Sequence, residues 1–339
     1  MPSRTGTALA LVAFTVLTVP AAPAQTQAPL SPRVLPREAS GTSAAPAVIR
    51  AAEVPALTEG PTVDRDGHVF FTEMRSERIF RLTPSSGELT VFREKSHAAN
   101  GMVFDREGRL VVCEGASGAE PPRVTRTDLR SGVVEVLAAG YQGMPFRGTN
   151  DVTLDGQGRL YFTDPGGSAV YRIDGPGQVT KVLGAPQIER PNGIQVAPDD
   201  RMLYVIESGN APTGPRMIRA FELRPDGSAG AGRVLYDFPG RSADGMSVDA
   251  QGNLYVSAGL NALAPPGALP AARAWTDAAL QTQAGVYVIS PAGRLLSFIP
   301  IAEDVITNNA FGGPDMKTLY ITAGRTLFQV RTEIAGLPR

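Results

Sequence analysis

The chain has 339 residues, of which 42% are hydrophobic, and this suits one large folded domain or two ordinary ones. Its 32 Lys and Arg residues nearly balance 33 Asp and Glu residues, so the formal net charge is −1. This balance argues against a basic surface for nucleic acid or an anionic membrane. The single cysteine, Cys113, excludes a disulfide within one chain and a thiolate zinc site.

The N-terminal segment has the features of a secretory signal peptide. Arg4 precedes an apolar stretch, residues 8–19, that is too short to span a membrane, and residues 22–24 supply an A-x-A cleavage site. We therefore expect residues 1–24 to be removed on export to the periplasm or the extracellular space, with an N-terminal anchor as the alternative. Residues 25–47 are rich in Pro, Ala, Ser and Gln, which predicts a flexible linker.

One short pattern occurs six times in the rest of the chain. A polar residue opens an apolar strand, a turn rich in Gly or Asp follows, and a second apolar strand ends the unit, as in NDVTLDGQGRLYFTD. Repeats of about 40–50 residues that consist of short strands are typical of β-propellers. The six opening residues are Glu59, Asn100, Asn150, Asn192, Asp244 and Asn308.

Each copy of the pattern predicts a β-hairpin, and two further strands follow it, separated by turn residues. The sequence therefore predicts an all-β fold, a six-bladed β-propeller with four-stranded blades. The last copy lacks one strand, whereas residues 48–57 form a spare strand before the first copy. We expect this N-terminal strand to complete the last blade, so that the propeller spans residues 48–333 and residues 334–339 form a C-terminal tail.

An insertion interrupts the fifth repeat at residues 260–283. It leaves the strand LYVSA at the rim that carries the opening residues, it contains Trp275, and its residues 271–280 have helical potential. A lid over a site and a plain surface insertion are both consistent with these features.

The opening residues supply oxygen-bearing side chains that cyclic symmetry would place around one axis. Glu59, Asn150, Asn192 and Asp244 combine two carboxylates with two amides, a donor set that suits Ca²⁺, with Zn²⁺, Mn²⁺ or Mg²⁺ as alternatives. Such a site would keep coordination positions for water and substrate and could polarise a carbonyl group. The alternative is that these side chains only cap strand ends by bonding to backbone groups.

Other polar residues should surround this set. Asn100 and Asn308 should face the same tunnel as substrate-binding groups, and His97 is a candidate proton shuttle at its mouth, with a plain loop histidine as the alternative. Symmetric counting from each hairpin turn places an acid opposite four of the opening residues, one strand further out. These acids are Glu73, Glu114, Asp164 and Glu207.

Six short motifs carry a specific resemblance to a known family. They are Glu59-Gly60-Pro61, Asn150-Asp151-Val152, YFTDP at 161–165, Pro191-Asn192-Gly193, Asp244-Gly245-Met246 and FGGPD at 311–315. Over roughly residues 53–333, the sequence resembles the senescence-marker-protein/gluconolactonase/luciferin-regenerating-enzyme family. Members of that family are six-bladed propellers with a divalent ion in the central tunnel. They hydrolyse sugar lactones and related esters, and relatives act on organophosphates.

The resemblance implies roles for individual residues. The four oxygen-donor residues named above would hold the metal, Asp244 would be the catalytic base that activates water, and Asn150 would also contact substrate. Arg147 is a further candidate for substrate binding, although some members carry this arginine at the position of Gly148. Many gluconolactonase-like members have His at the position of Gly115, so the substrate preference of this protein should differ from theirs.

The resemblance thus implies a divalent-metal-dependent hydrolase that opens a lactone by attack of water on the carbonyl carbon. The alternatives are a phosphotriesterase with the same metal site, and a non-catalytic propeller that binds a ligand or protein around a structural ion. We expect a monomer that acts on a small molecule, with no nucleic-acid partner and no membrane contact after signal-peptide cleavage.

Overall fold

Each of the six repeats forms the two inner strands of a four-stranded antiparallel sheet in the computed structural model, which describes residues 47–209, 213–263 and 276–337. The innermost strands contact one another in succession around a ring, and the sixth contacts the first. The protein is therefore a closed six-bladed β-propeller, as predicted. The predicted signal peptide, residues 25–46 of the predicted linker and Trp275 of the insertion lie outside the described residues.

The first three blades run from the axis outward in chain order, after a short first strand, β1 (Ile49–Glu53). Blade 1 consists of β2 (Thr58–Val63), β3 (Val69–Glu73), β4 (Arg78–Thr83) and β5 (Glu88–Arg93). Blade 2 consists of β6 (Ala99–Phe104), β7 (Leu110–Glu114), β8 (Arg123–Thr127) and β9 (Val134–Ala138), and a hairpin of β10 (Gly140–Tyr141) and β11 (Met144–Pro145) follows. Blade 3 consists of β12 (Val152–Leu154), β13 (Leu160–Asp164), β14 (Ala169–Gly175) and β15 (Gln178–Gly184).

The remaining blades follow the same plan. Blade 4 consists of β16 (Pro191–Val196), β17 (Met202–Ser208), β18 (Arg216–Leu223) and β19 (Ala229–Asp237). Blade 5 consists of β20 (Ala243–Val248), β21 (Leu254–Ala258), β22 (Gly285–Ile289) and β23 (Leu295–Pro300). Blade 6 consists of β24 (Ile306–Gly312), β25 (Thr318–Ala323), β26 (Thr326–Arg331) and, as its outermost strand, β1.

Strand β1 closes the ring as predicted. It pairs antiparallel with β26, with Ile49 opposite Gln329 and Glu53 opposite Thr326. At the inner edge of the same junction, the Thr307 hydroxyl donates to the Thr58 carbonyl oxygen at 2.9 Å. The N- and C-terminal parts of the propeller are thus joined within one sheet, which leaves no free sheet edge at the seam.

The apolar core is divided among the interfaces between blades. Six clusters of buried side chains occur, and each contains residues from two neighbouring blades. Cys113 is buried in the cluster between blades 2 and 3, where burial raises the pKa of its thiol, so it is a core residue. Because every blade packs against two others, the fold holds the inner strands in fixed positions around the axis.

The predicted pairing of the opening residues is wrong by one residue in five hairpins, whereas in blade 3 the register of Val152 with Phe162 agrees with symmetric counting. Glu73 lies opposite Thr58, and Glu59 lies opposite Thr72, because the inner strand carries a β-bulge between Glu59 and Thr62. Similar irregularities follow the strand entry in blades 2, 4, 5 and 6. A bulge adds one residue to one strand only, so symmetric counting from the turn fails beyond it. Since neighbours along a strand alternate between faces, the opening residues and the four acids face different surroundings.

The insertion and the tail both pack against the propeller where they are described. A 3-10 helix, Asp277–Gln281, forms the end of the insertion, whereas residues 264–275 lie outside the described residues. The tail makes a bridge between Gly336 and Asp249 of blade 5. Among the described residues, no helix combines the length and apolar character needed to cross a membrane.

Candidate active site at the propeller axis

Close packing of the inner strands brings the opening residues to the axis. A Cβ atom at Gly60 would lie 2.1 Å from the Asn100 carbonyl oxygen, and one at Gly245 would lie 2.1 Å from Cγ of Asn308. Gly60 also has a φ of +42°, which other residues rarely adopt. Glycine after the opening residue is therefore what allows one blade to approach the next this closely.

Three carboxylates lie near the axis: Glu59 and Asp151 are buried, and Asp244 is partly buried. Burial is the largest cause that raises the pKa of Glu59 well above its usual value, and the charges of Asp244 and Asp151 raise it further. Burial also raises the pKa of Asp244, although Arg241 and Asn192 counteract part of this effect. Negative charge thus accumulates at the axis with incomplete compensation by the protein.

Asp244 is held by hydrogen bonds at both carboxylate oxygens. Asn192 Nδ2 donates to Asp244 Oδ1 at 2.7 Å, and Arg241 Nη2 donates to Asp244 Oδ2 at 3.0 Å. The first bond joins two of the predicted metal ligands directly. The second introduces a buried arginine that the sequence analysis did not identify.

Asp151 is the second residue that the sequence analysis did not assign to the site. Its Oδ2 accepts a hydrogen bond from Asn308 Nδ2 at 3.3 Å, so blades 3 and 6 meet across the tunnel. Burial raises the pKa of Asp151 to about 7. Both residues line a cavity of about 120 Å³ that continues down the tunnel between the inner strands. Asp151 and Asn308, which is itself an opening residue, therefore link the acids at the axis to this cavity.

The donor set at the axis fits a hard divalent cation. Glu59, Asn150, Asn192 and Asp244 supply carboxylate and amide oxygens, which are the ligands that Ca²⁺ prefers. The raised pKa values of Glu59 and Asp244 show that the buried charge lacks full compensation, and a cation would supply it. The Asn150 carbonyl oxygen accepts a bond from the Gly101 N–H at 2.8 Å, which joins the inner edges of blades 2 and 3.

A separate acidic group lies in the turn of the first hairpin. Among the described His, Cys, Asp and Glu residues, three ligand atoms come within 4.8 Å of one another at Asp64, Asp66 and His68. Asp64 Oδ1 accepts the backbone N–H groups of Asp66 and His68, and its Oδ2 lies 2.9 Å from His68 Nδ1. Asp105, Asp155 and Asp249 make the same backbone bonds in other hairpins. The group is therefore explained by turn formation.

The four acids predicted to surround the site have protein partners of their own. Glu73 accepts the backbone N–H groups of Arg75 and Ser76, at 2.9 and 3.1 Å. Glu114 accepts from Arg123 Nε at 2.7 Å and Thr125 Oγ1 at 2.6 Å, and it also pairs with Arg93.

The other two acids of this set bind the loops before the inner strands. Asp164 accepts the backbone N–H groups of Arg147 and Gly167, at 3.1 Å for each. Glu207 accepts the backbone N–H groups of Glu189 and Arg190, the latter at 2.7 Å. These acids hold neighbouring loops in place, and their role as a second shell around the opening residues stays a prediction.

The remaining predicted residues lie around the mouth. The Arg147 side chain is exposed, while its backbone is fixed by Asp164. His97 Nδ1 lies 3.6 Å from Glu120 Oε2 in the loop between β7 and β8, and its role as a proton shuttle stays a prediction. Asn100 is buried at the axis, with its Nδ2 3.9 Å from Met74 Sδ.

Aligning the repeats could have identified both missed residues. The position after the opening residue is Gly in four repeats, at 60, 101, 193 and 245, whereas the third repeat has Asp151 there. A charged group at a position that usually requires glycine is a signal of function. Arg241 stands three residues before Asp244, as Arg147 stands three residues before Asn150.

Comparisons with known proteins agree with this architecture. Residues 57–325 match the SMP-30/Gluconolactonase/LRE-like region. The chain is 25% identical to the gluconolactonase of Zymomonas mobilis over 82% of this chain and 79% of that protein. It is 27% identical to the pentonolactonase XacC of Haloferax volcanii, over 78% and 81% of the two chains.

A solved structure leads to the same assignment. The structure of XC5397 from Xanthomonas campestris, described as a gluconolactonase, superposes with a TM-score of 0.69 at 25% identity, covering 84% of this chain and 89% of that one. Together with the match over residues 57–325, which is most of the propeller, this similarity assigns the chain to a family. The protein belongs to the SMP-30/gluconolactonase/LRE-like family.

Proposed function

We propose that this protein is a divalent-metal-dependent hydrolase that opens lactones, with the site at the mouth of the propeller tunnel. The observation that carries the proposal is the group of acids, Glu59, Asp151 and Asp244, at the end of a narrow tunnel, with their pKa values raised. Acids in such a state are typical of catalytic and metal-binding sites. The relatives named gluconolactonase and pentonolactonase support lactones as the substrate class.

The residues at the axis have different proposed roles in the reaction. A divalent cation at Glu59, Asn150, Asn192 and Asp244 supplies a positive charge that polarises the lactone carbonyl group and lowers the pKa of a nearby water molecule. Ca²⁺ fits the all-oxygen donor set, and Zn²⁺, Mn²⁺ and Mg²⁺ are the alternatives to be tested.

Asp244 is the proposed general base. Its bonds from Asn192 and Arg241 fix the orientation of the carboxylate, so that a water molecule beside it can be directed at the lactone carbonyl carbon. The proton that Asp244 takes from water then passes to the ring oxygen as the bond between this oxygen and the carbonyl carbon breaks, which gives a hydroxy acid.

The lactone has to approach from the side of the opening residues. The cavity that Asp151 and Asn308 line measures about 120 Å³, which is below the usual size of a small-molecule pocket, about 300–1,000 Å³. Asn100, Asn150 and Asn308 present amide groups at the axis, and Arg147 lies exposed above them, so these residues are the proposed contacts to substrate.

A substrate panel tests the proposal. Metal-stripped protein should be assayed on five- and six-membered sugar lactones and on phosphotriesters, with chelator and then with each of the four cations. We expect lactone opening that chelator abolishes and that one cation restores. Faster cleavage of phosphotriesters would favour the alternative hydrolase. Cation binding without turnover of any substrate would identify a non-catalytic binding propeller.

A further inference from the structure

The buried arginine beside the acids carries a further inference. Arg241 is 8% exposed, and its Nη2 lies 3.0 Å from Asp244 Oδ2. It also lowers the pKa of Glu59 through its charge, so it lies close enough to act on both carboxylates of the proposed metal site. A positive side chain is thus already present where the proposal places a cation.

The backbone of this arginine is held by the end of the insertion. The Arg241 N–H donates to the Ala279 carbonyl oxygen at 3.0 Å, and the preceding N–H, from Gly240, donates to Thr282 Oγ1 at 2.9 Å. A Cβ atom at Gly240 would lie 2.6 Å from the Ala278 carbonyl oxygen, so the two segments pack closely. The 3-10 helix Asp277–Gln281 therefore sets the position from which Arg241 reaches the axis.

The arrangement creates a competition. Asp244 Oδ2 accepts a hydrogen bond from the Arg241 guanidinium group, and Asp244 Oδ1 accepts one from Asn192 Nδ2. Both carboxylate oxygens therefore already have a hydrogen-bond donor from the protein. A cation that takes Asp244 as a ligand needs one of these oxygens. A divalent ion would also repel a guanidinium group held a few ångströms away, and this repulsion is strong in a buried site.

We propose that Arg241 is a resident counter-cation, which pairs with Asp244 in the metal-free protein and is displaced from it when a divalent cation binds. The inference rests on the proposed function in one respect, since it takes Asp244 as a metal ligand. In the metal-free protein, the charge of Arg241 stabilises the buried carboxylates. The same charge opposes binding of a cation and so weakens the affinity of the site for metal. The insertion then also influences metal binding, because its end holds the backbone of Arg241 in position.

Titration calorimetry on metal-stripped protein tests this proposal with Ca²⁺ as the probe. Arg241→Met keeps much of the side-chain volume and removes the charge, so it should bind Ca²⁺ at least about tenfold more tightly than the wild type. Arg241→Lys keeps the charge and should stay within about threefold of the wild type. The melting temperature in chelator should fall for Arg241→Met, because the acids then lack their partner.

Arg147→Met is the matched control. Arg147 stands at the equivalent position in blade 3, three residues before Asn150, but its side chain is exposed. Its replacement should change the affinity for Ca²⁺ less than twofold. Unchanged or weaker affinity in a folded Arg241→Met variant would overturn the proposal, because the arginine would then be a structural support for Asp244.

An NMR measurement on the wild type keeps the proposal testable if Arg241→Met does not fold. The Nε–H signal of Arg241, assigned by its absence in Arg241→Lys, should shift as Ca²⁺ is added and reach its end point with the binding curve. A signal that stays constant through saturation would overturn the displacement. A wild-type protein that binds none of the four cations would instead overturn the proposed metal site, and the inference with it.

Discussion

Two sets of acids lie in the interior of this propeller, and they differ in how far hydrogen bonds and ion pairs compensate their charges. Glu114 and Glu207, in the second strands of their blades, accept several hydrogen bonds from arginines, hydroxyl groups and backbone N–H groups. At the axis, Glu59 accepts a bond from the N–H of its neighbour Gly60, and burial leaves its pKa well above the usual value. The acids of the second strands are thus stabilised by the protein, whereas those at the axis keep affinity for a cation or a proton.

The partners of a buried acid distinguish a structural role from a functional one better than its burial does. Glu114, Glu207, Glu59 and Asp151 are all buried, so burial alone does not distinguish the two sets. The difference lies in their partners, because a buried carboxylate is stable only when charge or hydrogen bonds compensate for lost hydration. Where that compensation is incomplete, as at Glu59 and Asp151, the raised pKa marks a candidate catalytic or metal-binding site.

The largest expected effect comes from substitution at the axis. Asp244→Asn and Glu59→Gln each remove one negative charge, so both should weaken cation binding. At saturating Ca²⁺, Glu59→Gln should recover most of its activity, whereas Asp244→Asn should stay about 10²–10⁴-fold less active, because it lacks the general base. Initial rates of lactone opening across a Ca²⁺ series measure this difference.

Equal recovery of the two variants would show that Asp244 is a metal ligand and not the base. The base would then be sought at Asp151, which lies at the axis and has a pKa of about 7. Asp164 and Glu207 are poorer candidates, since the backbone N–H groups of neighbouring loops already occupy their oxygens.

A substitution in the second strand of a blade should have the opposite effect. Glu114→Gln removes a fully buried charge, takes this carboxylate partner from Arg93, and leaves Arg123 paired with Glu120 alone. Because both arginines are partly exposed and can regain water, the expected loss is on the order of 3 kcal/mol of unfolding free energy. Activity for each folded molecule should stay near that of the wild type. Denaturant titration and active-site counting separate the two quantities, and a loss of activity without loss of stability would contradict the comparison.

The repeats of the sequence were sufficient to predict the architecture. Six hairpins, four strands for each blade and the closing strand β1 all follow from a pattern that local residues determine. The register was missed because a bulge is produced by the close approach of two blades, as at Gly60 and Asn100, and no single hairpin shows it. Asp151 was missed for a related reason, since its contact with Asn308 joins elements distant in the chain. Arg241 lies only three residues before Asp244, but its backbone is held by the distant Ala279.

The smallest expected effect is on the pH dependence of stability without metal. Burial raises the pKa of Asp151 from 3.8 to about 7, so the folded state binds its proton more tightly than the unfolded state does. The contribution of this proton to stability is present at low pH and is lost as the pH rises toward and past 7. Between pH 6 and pH 8 the loss should be about 1.4 kcal/mol, which lowers the melting temperature by about 3–5 °C.

Asp151→Asn is the control for this dependence. It removes the titrating group while keeping an oxygen to accept from Asn308, so the melting temperature in chelator should change less between pH 6 and pH 8 than in the wild type. Any slope that remains belongs to Glu59 and Asp244, whose pKa values are raised in the same direction. Saturating Ca²⁺ should reverse the slope in the wild type, because the ion binds the ionised acids, which are more abundant at higher pH. An identical profile for wild type and variant would mean that the acids at the axis are compensated as fully as Glu114 and Glu207.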